Sequence, residues 1–345
     1  MDNQSPSQPL VVAFGELMLR LACEDGRRFR DSPAFRRIFG GAEANVCVLL
    51  SQLGHRTRFV SALPANDLGQ AALESLQQYG VDTSCVLRSG QRIGIYFTED
   101  GNGIRPGRVI YDRKGASFST LEPGQLDWDR ALDGARFFYW TGISPALTAS
   151  AAARCREALD AARARNLTIA VDMNYRSTLW DYGTPPAAVM PDLLGSATVV
   201  TGDVDTLGVY FGIQADRHLT PEDQFRHCAE ELSRRLPAMK VFAMSFRGWN
   251  PQQQSIYRGA LLAEGNLHYS PVYSLPRVVD RIGSGDAFQA GLLDAVLRGR
   301  PAGETIHFAT ACGVLKHSMA GDFTLLSRAE IEQFMQHGPT SHVIR

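Results

Sequence analysis

The sequence predicts an α/β fold: a doubly wound, mostly parallel sheet flanked by helices, with a small β-sheet lid. Three observations predict it. Short apolar runs alternate with helical stretches along most of the chain. Over residues 91–113 the period changes to alternation of successive residues, a hairpin pattern. No repeat, low-complexity segment or flexible linker divides the 345 residues, so residues 1–345 read as one domain. The lid would be formed by about 17–40 and 91–115, inserted in the α/β core.

Taken in order, Leu10 to Phe14 is a short apolar run ended by Gly15-Glu16, which suits a buried strand. Gly40-Gly41-Ala42-Glu43-Ala44-Asn45 opens a helical stretch from Val46 to Leu53 that Gly54 closes. Arg58 to Leu63 follows as a strand. Asp67 to Tyr79 follows as a helix with Leu68, Ala72, Leu76 and Tyr79 on one face. In the hairpin, Ile93, Ile95 and Phe97 alternate with Gly94, Tyr96 and Thr98; after a turn rich in Gly and Asn, Tyr111 and Arg113 share a face. The βα rhythm resumes with strands at Phe137 to Trp140, Leu167 to Asp172, Ala197 to Thr201 and Lys240 to Met244. Helices are expected from about Ser150 to Arg165, after Thr220-Pro221-Glu222-Asp223, and from Asp286 to Leu297. The second has a cap, a first-turn Pro and two acids at its positive end, with Phe225, Cys228, Leu232 and Leu236 as its apolar stripe.

Composition narrows the function classes. A hydrophobic content of 44% with 21% charged residues describes a globular chain, and the net charge of -1 carries no footprint for nucleic acid or an anionic membrane. A bound phosphate would be held by local amides and a few Arg. The six cysteines are scattered without metal-ligand spacing and read as thiols in a reducing compartment. The segment Met1 to Pro9 lacks signal-peptide order, and no apolar run is of membrane-spanning length, so the chain reads as cytoplasmic. A Walker A motif, a Rossmann glycine fingerprint and zinc-protease histidine spacing are all missing.

Gly283-Ser284-Gly285-Asp286, directly before a helix, is the most informative segment. Small residues let successive N–H groups converge on an anion, and the helix start adds partial positive charge. A carboxylate there suits a base for a hydroxyl, while the amides stabilise charge on a transferring phosphoryl group. The same residues also fit an Asp cap on an ordinary helix after a Gly turn, and the segment alone leaves both readings open.

Val279 to Phe288 resembles the signature of the PfkB (ribokinase-like) family of carbohydrate kinases, whose usual form has Ala where Ser284 stands. Gly40 to Asn45 resembles the same family's N-terminal motif. Within the family the resemblance is closest to the 2-keto-3-deoxygluconate kinases, through Gly15 to Leu21, Ile93 to Phe97, Val109 to Arg113, Asp172-Met173-Asn174-Tyr175-Arg176 and Gly321-Asp322-Phe323. It covers about Val11 to Glu332. The resemblance implies a ribokinase-like fold and transfer of a phosphoryl group from ATP, with Mg2+, to the terminal (6-) hydroxyl of 2-keto-3-deoxygluconate. Asp286 would be the base, and Gly283, Ser284 and Gly285 the anion hole. Gly41, Tyr96, Tyr111, Arg113 and Arg176 would hold the keto-deoxy acid, with Asn45 close by. Arg offers planar, always-charged donors to a carboxylate, and a neutral sugar such as fructose would not need Arg113 and Arg176 together. An isolated Arg at a strand end is a surface charge in the plainer reading, and Tyr96 and Tyr111 fit a lid core as well.

On the nucleotide side the family carries an Asn-x-x-Glu motif that acts through water on magnesium. Here the matching stretch is Val200-Thr201-Gly202-Asp203-Val204-Asp205-Thr206. Asp203 or Asp205 takes that place, or both are solvated acids at a helix start. The Lys or Thr that relatives have before the next turn is absent from Met244 to Trp249, so Arg247, with Gly248, is expected to meet the phosphates along with Gly283 and Gly285. Asp280 is a weaker candidate for supporting a monovalent cation such as K+. A kinase for fructose, tagatose or another sugar acid is the nearest rival, and a non-catalytic sugar-binding relative the more distant one. Exposed lid edges suggest a homodimer.

Overall fold

The computed structural model describes residues 9–24, 26–101 and 105–339. The polar segment read at residues 1–8 and part of the hairpin turn lie outside the described residues. In chain order the strands are β1 (Leu10–Phe14), β2 (Met18–Cys23), β3 (Phe35–Gly40), β4 (Arg56–Leu63), β5 (Val86–Arg88), β6 (Gly94–Glu99), β7 (Arg108–Asp112), β8 (Ala135–Thr141), β9 (Thr168–Asp172), β10 (Val199–Thr201), β11 (Val241–Trp249), β12 (Ser255–Ala263), β13 (Asn266–Tyr269) and β14 (Tyr273–Leu275). The helices are α1 (Ala42–Gln52), α2 (Asp67–Gln77), α3 (Trp128–Ala131), α4 (Ala149–Ala164), α5 (Met190–Leu194), α6 (Val204–Phe211), α7 (Pro221–Arg235), α8 (Ser284–Leu297), α9 (Ala302–Lys316) and α10 (Arg328–His337).

Strand β1 shows why the main sheet is covered on both faces. Its five residues are all buried, as the unbroken apolar run requires of a parallel strand. Val11 and Ala13 enter one core with Leu49, Leu293 and Phe308 from α1, α8 and α9. Leu10, Val12 and Phe14 enter the other with Leu159, Leu207 and Phe225 from α4, α6 and α7. The sheet runs β13-β12-β11-β10-β9-β8-β1-β4-β5, with β14 on β12. It is parallel from β11 to β5 and antiparallel where β12, β13 and β14 join. The chain moves outward from β1 to β4 and β5, then returns to β1's other side with β8. Such a reversal opens a crevice at the carboxyl ends of the strands. Those ends carry Gly15-Glu16, Thr141, Asp172 and Thr201.

A second sheet of four strands, β3-β2-β6-β7, is built from the segments between β1 and α1 and between β5 and α3. Its buried face carries Gly94, Tyr96 and Thr98 of β6, whereas every residue of the outer strand β7 is exposed. Tyr96 pairs with Tyr111 across the hairpin.

Three local expectations are corrected. Leu68, read onto one face of α2 with Ala72, Leu76 and Tyr79, is exposed; the face turned to the core runs through Gly69, Ala72, Leu73 and Leu76. Strand β11 continues to Trp249 because its far half pairs with β12, so Arg247 and Gly248 lie in a strand. Helix α8 starts at Ser284, two residues before the expected start, with Gly283 as its N-cap and no side-chain cap. Asp286 is therefore its third residue, and the reading of it as an ordinary helix cap fails. No helix among the described residues is long and apolar enough to cross a membrane.

Candidate active site

The turn into α8 depends on Gly283, whose φ of 85° lies in the left-handed region. A Cβ there would strike the Asp322 carbonyl. The Ser284 N–H turns back to the Arg281 carbonyl at 3.3 Å and the Ala287 N–H bonds the Gly283 carbonyl at 2.8 Å. The N–H groups of Gly285 and Asp286 are those a helix start leaves for an outside acceptor. Arg247 reaches the same loop, donating from Nη2 to Ser284 Oγ at 2.7 Å.

Asp286 accepts a 2.6 Å hydrogen bond at Oδ2 from the Asn45 side-chain amide, across 241 residues of chain. Burial pushes its carboxyl up to about 6, against the Asn45 hydrogen bond; Asp322 pushes it further up, and Arg176 and Lys316 pull it down. Two more acids surround it. Glu43, in the first turn of α1, accepts from the Thr141 hydroxyl at 2.7 Å, and burial raises it to about 7. Burial, then the Asp286 charge, raises Asp172 at the end of β9 to about 7. A carboxylate poised near neutrality beside an anion-binding helix start can accept a proton from a hydroxyl.

The residues expected to hold a sugar acid lie at the small sheet, at the start of α1 and on the loop after β9. Arg113 is buried, and its Nε (2.9 Å) and Nη2 both donate to Glu16 Oε2. Its guanidinium also lies over the Tyr111 ring, 5.7 Å from the centroid. Tyr111 stacks on Tyr96 at 5.8 Å, and the Tyr96 hydroxyl donates to Asp322. Tyr96 is buried, as a lid core residue would be, but its polar end points at an acid of the α/β core. Gly41 is packed so that a Cβ would strike the Glu16 carbonyl, and its N–H donates to Asn45 Oδ1 at 3.3 Å. Tyr111 and Arg113 line an open cavity of about 580 Å³ with Lys114, Thr148, Leu179 and Tyr182. Arg176 is exposed on the loop after β9, where left-handed Asn174 (φ 38°) turns the chain; its Nη1 bonds the Tyr175 carbonyl at 2.9 Å. Its charge acts on both Asp172 and Asp286.

The nucleotide candidates gather elsewhere. Asp203, Asp205, Arg217 and Arg247 line a cavity of about 300 Å³. Asp203 is the N-cap of α6, bonding the Thr206 N–H at 2.7 Å through Oδ1. Asp205 is paired with Arg217 at 2.9 Å. No group of three His, Cys, Asp or Glu side chains suited to a metal ion occurs among the described residues. A metal bound beside these acids would be held by one or two carboxylates, water and phosphates, which is how Mg2+ commonly binds. Gly248 adjoins Arg247 on β11, opposite Ile256. Asp280 is bonded at both oxygens: Arg20 Nη1 and the Gly321 N–H donate to Oδ2 at 2.7 and 3.1 Å, and the Ile282 N–H to Oδ1 at 3.0 Å.

Glu16, Arg20, Glu43, Asp172, Lys316 and Asp322 also belong to this region, and no role was assigned to them from the sequence. Glu16 and Asp172 follow or end apolar strands, and Asp322 follows a glycine in the loop after α9; an acid in such a loop position is a usable signal. Arg20 and Lys316 sit inside otherwise ordinary elements and carry no such signal.

The sequence pattern of the pfkB family carbohydrate kinases matches residues 8–325. The chain is 31% identical over 331 residues to a 2-dehydro-3-deoxygalactonokinase of Haloferax volcanii, covering 95% of this chain and 97% of that protein. It is 27% identical to a 2-dehydro-3-deoxygluconokinase of Bacillus subtilis, with 96% and 97% covered. Its fold superimposes on the crystal structure of a 2-dehydro-3-deoxygluconokinase from Thermotoga maritima with a TM-score of 0.90, at 34% identity and covering 95% of this chain and all of that one.

Proposed function

The chain belongs to the pfkB family of carbohydrate kinases, and on that premise we propose that it phosphorylates the 6-hydroxyl of 2-keto-3-deoxygluconate with ATP, giving 2-keto-3-deoxy-6-phosphogluconate. The observation that carries the choice of substrate is the pair Arg113 and Arg176. Arg113 lines the cavity beside the small sheet, and Arg176 lies near enough to Asp286 to act on its charge. Two guanidinium groups, Arg113 acting on Glu43 and Arg176 on Asp172 and Asp286, suit a sugar that carries a carboxylate.

In this reading Asp286 takes the proton of the terminal hydroxyl as its oxygen attacks the γ-phosphorus, and the bond from phosphorus to the β–γ bridging oxygen breaks to release ADP. The N–H groups of Gly285 and Asp286 meet the charge on the transferring group, with Gly283 and Ser284 shaping the hole. Arg247 meets the phosphates from β11 beside Gly248. Asp203 or Asp205 would hold Mg2+ through water, and the ion would neutralise phosphate charge. Arg113, aligned by Glu16, and Arg176 hold the carboxylate, Tyr96 and Tyr111 wall the sugar, and Gly41 lets it approach Asn45. The small sheet acts as a lid of the single domain, excluding water. Asp280, which the Arg20 guanidinium also holds, is the weaker candidate for supporting a monovalent cation such as K+. The reaction belongs in the cytoplasm.

A coupled ADP-release assay over keto-deoxy acids, fructose and tagatose tests this reading. The acids should be preferred, and Arg176→Ala should raise KM for the acid about tenfold or more with KM for ATP little changed. Preference for neutral ketoses would sink it, and ligand binding without any turnover would favour a sugar-binding relative. The Haloferax volcanii enzyme's name supports a second reading, the galactonate epimer as substrate, which the same panel separates. The exposed edge Val109-Ile110-Tyr111 of β7 supports pairing of lids in a homodimer. Ile110→Lys should halve the mass measured by light scattering.

A further inference from the structure

Arg20 stands on β2, inside the small sheet, yet its guanidinium reaches out of that sheet into the α/β core. Nη1 bonds Asp280 Oδ2 at 2.7 Å and Asp322 Oδ1 at 3.0 Å, while Nε bonds Thr98 Oγ1 of β6 at 2.9 Å. The three charged residues are 6%, 9% and 2% exposed. The second oxygen of Asp322 takes the Tyr96 hydroxyl, also from β6. Gly40 of β3 lies against the same carboxylate, so closely that a Cβ would strike it. Three of the four strands of the small sheet therefore meet on one acid of the core.

The same two acids shape the anion loop. Asp280 Oδ1 accepts from the Ile282 N–H at 3.0 Å and Oδ2 from the Gly321 N–H at 3.1 Å. The Asp322 carbonyl lies directly against Gly283, where the chain turns left-handed into α8. Lys316, fully buried, donates to the Met319 carbonyl at 3.1 Å and passes close to Gly283. Burying two carboxylates and two cations is a poor way to gain stability, because desolvation offsets most of the attraction. It is a good way to fix relative position, because moving one partner leaves a buried charge unpaired.

We infer that Arg20 is a positioning residue that ties the seat of the small sheet to the shape of the anion hole, so that phosphoryl transfer is fast only when the sheet has settled over a sugar. The inference rests on the kinase reading of the site but not on which sugar is used.

The test compares the wild-type chain with Arg20→Lys, which keeps the charge but loses the fork, and with Thr98→Val, which removes only the hydroxyl that orients Nε. Each is assayed with whichever sugar the wild type phosphorylates, reading kcat, both KM values, folded fraction, and the ratio of ADP release with sugar to that without. Arg20→Lys should lower kcat about tenfold, as a small misplacement of reacting groups does, with both KM values within about twofold and the sugar stimulation cut at least about threefold. Thr98→Val should move kcat and the ratio the same way by less. An unchanged ratio in folded variants overturns the inference, as does a rise in sugar KM alone, which would put Arg20 on the sugar itself. If Arg20→Lys does not fold, an unchanged ratio in Thr98→Val is enough to overturn it. A wild type that turns over no sugar fails earlier and takes the kinase reading with it.

Discussion

The Asn45 amide donates to Asp286 at 2.6 Å, and a hydrogen bond to the charged form holds a carboxylate down. Burial pushes Asp286 up to about 6 even so. As a base it works deprotonated, so kcat/KM should fall below an acid limb near pH 6. Asn45→Leu removes the donor, and a pH–rate profile should show that limb displaced upward by about half a unit to one unit, with the loss larger at pH 6 than at pH 8. Asp286→Asn should lower kcat by about a thousandfold while ATP binding, read by calorimetry, survives. An acid limb that Asn45→Leu leaves in place would show that another group sets it. Asp286 was legible because its glycines stand beside it in the chain. Glu43 and Asp172 were not, because an acid in a helix turn or at a strand end becomes perturbed only when folding buries it beside Asp286.

At the level of the element, α8 and its entry turn set the geometry on which the site depends. A Gly283→Ala change meets two obstacles, a φ of 85° and the Asp322 carbonyl. It should cost about 1–3 kcal/mol, read as a lower melting temperature, together with a fall in kcat larger than the change in either KM. Equal activity would mean that the turn relaxes without disturbing the anion hole. The strands of the main sheet were readable because buried parallel strands are apolar throughout, as β1 is. The start of α8 was placed late because Gly283 caps it through backbone conformation alone, and no Ser, Thr, Asn or Asp marks the position. The long reach of β11 was missed for a different reason: pairing with β12 extends residues 245–249 whatever their local preference.

At the scale of the whole molecule, the crowded acids affect stability. Glu43 is about 2% exposed, and burial raises its carboxyl to about 7 from an ordinary value of 4.5. The folded state thus holds this proton more tightly than the unfolded chain does. Its contribution to stability is complete below about pH 4.5 and is lost as pH rises through 7. Glu43→Gln keeps an acceptor for Thr141 and removes the titration. Its melting temperature should gain on the wild type between pH 5 and pH 8, by up to about 3 kcal/mol in unfolding free energy; a gap independent of pH would count against a buried, titrating Glu43. The fold class and family could be read from ordered local motifs, whereas the meeting of Arg20 with Asp280 and Asp322 could not, since residues 260 and 302 positions apart share no local pattern. That same separation bears on synthesis. Asp286 is made 241 residues after Asn45, and Asp322 is made 302 residues after Arg20. Translation runs at roughly 5–20 residues per second, so the nascent chain carries the early half of its active centre for many seconds before the late half exists to join it. A fragment ending before residue 280 has neither of the acids that Arg20 holds, and one ending before residue 322 has only Asp280, so the full grip on the phosphate loop waits for both.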